Sequence, residues 1–427
     1  MPQRTLSAFF KPPAQYAVTI FLWAAIGIAC FQRVGFLQLM EYKYDEQQAW
    51  ALAGAQWHGN GLALTGLPSS VGLLNPPLFT WILGIPALIS SNPLPAAAMI
   101  AWLNVAGIAL LYVLLRKNTN ASVALWTTAL FASAPWAIIY SRKIWAQDLL
   151  FPFFVCLLIV LMSLLENYKP WKLILLFMLT AFLTQLHMSA WCLPFTLGIF
   201  LILQKIPVKT RDMYIGCLVF LLIYSPYVWY QLQTHGQNIL YALHKSTHES
   251  LDLVSYWQWS AGITSGNGFE YLLGKAAFSQ FLQQPFMSVS PVVFTFYVII
   301  AGISFLSVAY QSLATIEHLI QRKKIGTRDT LVFFLLLHFV LTTAAFFIVR
   351  VPVYPHYHII FYPLFPLGVC LAAFDLSKKS SLAGYLFSLS LIIIMITNLL
   401  FTGYFFHYIH TQPPSADGDY GTPFRLQ

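Results

Sequence analysis

Pro77-Leu78-Phe79-Thr80-Trp81-Ile82-Leu83-Gly84-Ile85-Pro86-Ala87-Leu88-Ile89-Ser90 decides the topology of this chain. The stretch is apolar, follows Asn75-Pro76, carries Pro86 inside it, and is followed by Asn92-Pro93-Leu94-Pro95. At 1.5 Å per residue a helix of its length covers roughly 20 Å, too little for a hydrocarbon core of roughly 30 Å. It suits an interfacial or re-entrant helix instead. If it crossed the membrane, every later loop would change sides.

The surrounding sequence makes a membrane the setting. Of 427 residues, 58% are apolar and only 9% charged, and the mean hydropathy is +0.69. A soluble domain carries about 25% charged residues. Long runs with almost no charge exclude the short alternating strands of a β-barrel. The expected fold is all-α, a polytopic membrane helical bundle. Candidate spans are 16–35, 94–115, 121–140, 149–165, 172–187, 190–204, 213–232, 289–316, 330–349, 358–374 and 382–405. The first carries Arg4 and Lys11 ahead of it and reads as an uncleaved anchor.

Charge then settles the short segment. With eleven spans and the N-terminus inside, the short inner loops hold 15 of the 23 Lys and Arg residues, while the outer segments hold 9 of the 14 acids. Treating 77–90 as a twelfth span would turn the basic loops outward, against the positive-inside rule. The domain reading is therefore one transmembrane unit over 1–405, with large outer regions at 36–93 and 233–288 and a mobile outer tail at 406–427. The +9 charge follows topology and forms no nucleic-acid footprint. The five cysteines lie in apolar runs without metal or disulfide spacing. In the second outer region, Phe269, Leu272, Leu273, Ala276, Phe281 and Leu282 recur at helical spacing, as expected of a helix on the membrane surface.

His338 is the only ionisable group deep within a predicted span. A transporter needs a polar path through its bundle, which these spans lack. A non-catalytic envelope-assembly subunit is the other alternative, and would leave the outer carboxylates dispensable. Those carboxylates stand out in Glu41-Tyr42-Lys43-Tyr44-Asp45-Glu46-Gln47-Gln48, just past the first span. Adjacent residues point different ways, so Asp45 and Glu46 cannot both serve one reaction directly. Asp148, in a short loop on the same side, is the next acid.

Cations at the same level, Arg33, Lys43, Arg142, Lys143 and Arg350, oppose the topology signal. Binding an anionic phosphate is one reason for them, and pairing with the outer acids is another. His187, His356 and His358 are further polar candidates. Trp257 and Trp259 are candidates for stacking on a sugar, beside an ordinary aromatic belt.

The order Tyr44-Asp45-Glu46, Asn75-Pro76-Pro77-Leu78-Phe79, Ala134-Pro135-Trp136 to Tyr140-Ser141-Arg142, and His356-Tyr357 with Pro363 and Pro366, resembles the C-type glycosyltransferases (GT-C). Within them it is most similar to the protein O-mannosyltransferase-like and lipid A aminoarabinose transferase groups. The resemblance implies transfer of a hexosyl or pentosyl unit from a polyprenyl-phosphate donor to a lipid, glycan or protein acceptor. It implies that the transfer inverts the sugar and takes place on the outer, periplasmic face of a bacterial inner membrane. It maps the family's first-loop acid to Asp45 and its second to Asp148, and makes the Pro76-Pro77 segment a juxtamembrane helix. The chain departs from the family pattern with Asn75 in place of His and His356 in place of Arg. The phosphate contact then falls to Arg350 or a neighbouring lysine.

A glycosyl phosphate already carries a good leaving group, so one base and a cation suffice. The expected roles are Asp45 as base, Glu46 and Asp148 as positioning groups, and Arg142, Lys143 or Arg350 on the phosphate. No cofactor is required by the spacing, although converging carboxylates offer a place for a divalent metal.

Overall fold

The computed structural model describes residues 12–69, 72–237, 239–240, 253–321, 323, 325–350, 353–412 and 418–426. Arg4, Lys11, Arg322 and Lys324 of the charge count, 241–252 of the second outer region and 413–417 of the tail lie outside the described residues.

The helices are α1 (Pro12–Val34), α2 (Tyr44–Ala55), α3 (Leu78–Ile89), α4 (Leu94–Asn118), α5 (Ala121–Ser133), α6 (Pro135–Ile139), α7 (Leu150–Glu166), α8 (Pro170–Leu186) and α9 (Leu193–Leu203). There follow α10 (Thr210–Gln233), α11 (Leu253–Gly262), α12 (Glu270–Leu273), α13 (Lys275–Phe281), α14 (Ser290–Ile320), α15 (Thr327–Val349), α16 (Leu364–Lys379) and α17 (Ser381–Thr411). Prolines Pro95, Pro135, Pro170, Pro194 and Pro291 stand at the first or second helical position, where the missing N–H costs nothing. Asn120 and Ser380 cap α5 and α17 by accepting from Val123 N and Ala383 N.

Each of the eleven predicted segments is helical. Among the described residues seven helices are long and apolar enough to cross a membrane. An eighth span forms if the short helix Pro355–Phe361 and α16, bent by 52°, are taken together. The other three predicted spans contain α5, α8 and α9, which are apolar but shorter. The predicted span 121–140 breaks because Pro135 forces Ala134 into an extended conformation (φ −62°, ψ 124°). The chain is an integral membrane protein.

α3 packs on α2, α4 and α8. Gln56 Nε2 donates to Thr80 O at 2.9 Å and Trp57 Nε1 to Gly84 O at 2.8 Å, which ties α3 to the end of α2. The segment whose reading decided the topology is thus a 12-residue helix held beside the bundle. In the bundle, α4 packs on α5 and α7, α8 lies between α7 and α10, and α16 touches α5, α14 and α17.

Two expectations change. The apolar face of 269–282 turns inward: Phe269 and Phe281 each pack edge-on against Phe401 of α17 at 5.0 Å, and Ala276 is left exposed. The bundle covers that face because its aromatic residues fit α17. The tail is not wholly mobile either. α17 runs to Thr411, and 418–426 bind the first outer loop through Tyr42 N to Thr422 O (3.4 Å) and Phe424 N to Met40 O (3.0 Å). Tyr420 is buried and its hydroxyl donates to Leu39 O. An aromatic side chain with a satisfied hydroxyl is enough to anchor a short polar segment.

Candidate active site

Helix α2 sorts the first acids. Glu46, three residues after the N-cap Lys43, folds its carboxylate back to accept from Lys43 N at 3.0 Å, so it points inward. Asp45, one residue earlier and rotated by about 100° on the helix, is exposed and faces a cavity.

Behind α2 lies a buried charge cluster. Lys143 Nζ is 2.7 Å from Glu41 Oε2 and 3.4 Å from Glu46 Oε1, with the Trp145 ring centroid 3.2 Å away. Burial pulls the Lys143 ammonium down, but Glu41 and Glu46 more than reverse this and raise it. The Glu46 carboxyl is pushed up to about 7, first by burial; Lys143 opposes the shift and Glu41 adds to it. Asp148 is buried alongside, and its Oδ2 accepts from Lys143 N at 3.3 Å.

In front lies a cavity of about 490 Å³. Its polar wall is made by Lys43, Asp45, Ser69, Asn75, Gln147, Gln185, His187, Tyr271, Tyr354, His356 and Asp419. Leu67, Phe79, Leu186 and Met188 provide apolar surface. Apart from Gln185, Leu186 and His187, at the end of the predicted span 172–187, these residues come from segments that the sequence places in outer regions, so the fold gathers those regions at one end of the bundle. Lys43 is the one Lys or Arg on this wall among the described residues. Its ammonium lies 2.8 Å from Glu41 Oε1 and 3.0 Å from Asp419 Oδ1, and also donates to Asp419 O. Burial would lower Lys43, yet Glu41 and Asp419 together raise it, so it is charged at neutral pH.

His187 accepts through Nδ1 and is therefore neutral. Ser189 N donates to His187 Nδ1 at 3.2 Å, which leaves the Nε2–H as the ring's donor. The His356 ring meets Trp145 edge-on at 4.9 Å and stacks on Tyr357 at 4.8 Å, forming an aromatic side of the cavity.

The other expected residues lie elsewhere. Arg142 is buried beneath the site. It donates to Gln32 O at 2.8 Å and to Phe36 O, with its guanidinium 4.3 Å from the Phe406 ring centroid. Arg33 likewise bonds Ala29 O and Ala132 O. Arg350 is exposed at the left-handed C-cap of α15. His358 is buried with Nδ1 2.8 Å from Ser260 Oγ. Trp257 packs between Phe305 and Phe365, and Trp259 lies edge-on to Trp136 beside a second, open cleft of about 680 Å³.

Sequence reasoning missed Glu41, Tyr271 and Asp419. Glu41 was legible as the acid two residues before Lys43 in an otherwise apolar chain. Tyr271 and Asp419 come from distant segments and left no local signal. Among the described residues no three His, Cys, Asp or Glu side chains form a group able to hold a metal ion.

Residues 75–230 match the family described as dolichyl-phosphate-mannose-protein mannosyltransferase, about a third of the chain. No curated protein matches it by sequence. Among solved structures, ArnT from Cupriavidus metallidurans bound to undecaprenyl phosphate is 11% identical with a TM-score of 0.53, covering 93% of this chain and 78% of that one. The Archaeoglobus fulgidus oligosaccharyltransferase in complex with zinc and sulfate is 13% identical with a TM-score of 0.53, covering 90% of this chain and 52% of that one.

Proposed function

From the C-type glycosyltransferase fold that this chain carries, we propose that it moves a sugar from a polyprenyl-phosphate donor to a hydroxyl-bearing lipid, glycan or protein acceptor. The observation that carries this reading is one cavity in which an exposed carboxylate, Asp45, stands with a single ammonium, Lys43, and neutral imidazole and amide donors. That set matches the charges of a glycosyl-phosphate transfer.

Asp45 takes the proton of the acceptor hydroxyl as its oxygen attacks the anomeric carbon. The bond from that carbon to the phosphate oxygen breaks, inverting the centre. The carrier leaves as a phosphate monoester with one more negative charge than it had as a diester. Lys43 meets that growing charge, and Glu41 and Lys143 behind it hold Lys43 in place. His187, Gln147, Gln185 and Asn75 supply hydrogen bonds to a sugar. The reaction so written needs no metal. The apolar edge at Leu67, Phe79 and Met188 is the side from which a prenyl chain lying between helices brings its phosphate. The distribution of basic residues among the loops supports an outward-facing site, which in this reading is the periplasmic face of a bacterial inner membrane.

The reading is tested by deleting the gene in its source organism, restoring wild type or Asp45→Asn, and profiling surface lipids and glycans by mass spectrometry. A sugar lost on deletion and restored only by wild type supports it. A profile that does not change on deletion removes it.

A further inference from the structure

The Lys43 ammonium has three N–H donors. Asp419 takes two of them, through Oδ1 at 3.0 Å and through its backbone O, while Glu41 Oε1 forms an ion pair at 2.8 Å from outside the cavity wall. Of its two carboxylate partners, Asp419 is the one that shares the cavity wall with it. An anionic headgroup entering the cavity therefore meets an ammonium whose anion seat on that side is already taken by Asp419.

The two carboxylates are not equally able to leave. The Glu41 side chain is 1% exposed and also pairs with Lys143, so removing it from Lys43 strands a buried charge. The Asp419 side chain is 32% exposed, and among the described residues Lys43 is the ion-pair partner it has. The backbone around Asp419 is held without that carboxylate: Asp419 N donates to Tyr271 O at 3.0 Å and Tyr420 N to Leu272 O at 2.9 Å. Gly418 lies so close to α12 that an added Cβ would meet Leu272 O at 2.2 Å. The side chain can thus turn away while the segment stays docked.

We infer that Asp419 is a built-in stand-in for the donor's phosphate: its carboxylate occupies the anion seat on Lys43 in the empty enzyme and exchanges one for one with the phosphate of the incoming carrier. This rests on the polyprenyl-phosphate reading above. The exchange replaces one singly charged anion with another, so the net charge around Lys43 and Glu41 is the same with the donor seated as without it. After transfer the tethered carboxylate competes with the spent carrier at a high effective concentration, which favours release. Asp419 is a positioning residue that sets donor affinity, and it takes no part in bond making.

The test is equilibrium binding of undecaprenyl phosphate to the full chain in detergent at low salt, for wild type, Asp419→Asn, Asp419→Ala, Lys43→Met and the Lys43→Met/Asp419→Asn double variant. An exposed ion pair is worth up to about 1 kcal/mol, so removing the competitor tightens binding roughly five-fold. The gain disappears when Lys43 is Met. Unchanged or weaker binding in both Asp419 variants, with wild type still binding, overturns the stand-in and leaves the donor reading intact. A gain that persists in the Lys43→Met background assigns the effect to the general field and also overturns it. If neither wild type nor any variant binds undecaprenyl phosphate, the donor reading falls and takes the inference with it.

Discussion

Glu46 and Asp45 are neighbours in sequence and opposites in surroundings. Glu46 is buried, accepts from Lys43 N and shares the Lys143 ammonium with Glu41; Asp45 is exposed on the cavity. The same division runs through the cations. Lys43 borders the cavity, while Lys143 and Arg142 serve carboxylates and carbonyls behind it. One short helix start therefore supplies a reacting layer and a supporting layer, and its capping geometry decides which residue joins which. Changes in the front layer should alter transfer with little effect on stability, and changes in the back layer should do the reverse.

The largest separation is expected from Asp45→Asn. Losing a general base lowers transfer by about 10²–10⁴-fold, with thermal unfolding in detergent almost unmoved. Lys143→Met should do the opposite. It leaves Glu41 and Glu46 buried without their shared cation, and breaking a buried pair costs about 3–5 kcal/mol. The readout is a fall in melting temperature and in folded yield. Arg142→Lys keeps the charge but loses the fork that joins Gln32 O, Phe36 O and the Phe406 ring. A loss of about 1.5–3 kcal/mol in stability is expected, with undecaprenyl phosphate affinity unchanged; weakened binding in folded protein would move Arg142 to the front layer.

A subtler probe is pH. The Glu46 carboxyl is raised from 4.5 to about 7, so between those values the folded chain holds a proton that the unfolded chain has released. Its contribution to stability is fully present below pH 4.5 and is lost as pH rises through about 7. Glu46→Gln, which resembles the protonated form, should flatten that decline in melting temperature between pH 5 and 8; an unchanged slope would place the titration elsewhere. The smallest effect is expected from Trp257→Phe. Its ring packs on Phe305 and Phe365, so a stability loss of about 1 kcal/mol without change in transfer is expected.

Much of the fold was legible because a membrane makes hydropathy and charge decisive. The eleven apolar segments all became helices, and 77–90 became a helix of 12 residues, shorter than the long spans. What the sequence did not reveal was the break at Ala134-Pro135 as a separation of α5 from α6, or the packing of 269–282 onto α17, since an apolar face reads alike whether lipid or protein covers it. At the site, Asp45 and Glu46 were visible as rare acids. Arg142 was not separable from a phosphate ligand, because an outer cation leaves the same trace whether it holds carbonyls or substrate. Asp419 was hidden for another reason: it lies more than 370 residues from Lys43, and only folding brings the two within 3.0 Å.

The most direct test measures Asp45→Asn and Glu46→Gln side by side in the deletion strain, at equal folded abundance, by the amount of sugar restored to the product that wild type restores. The account predicts near-complete loss for Asp45→Asn and near-wild-type restoration for Glu46→Gln. Full restoration by Asp45→Asn, or loss by a well-folded Glu46→Gln, would contradict the division between the two layers.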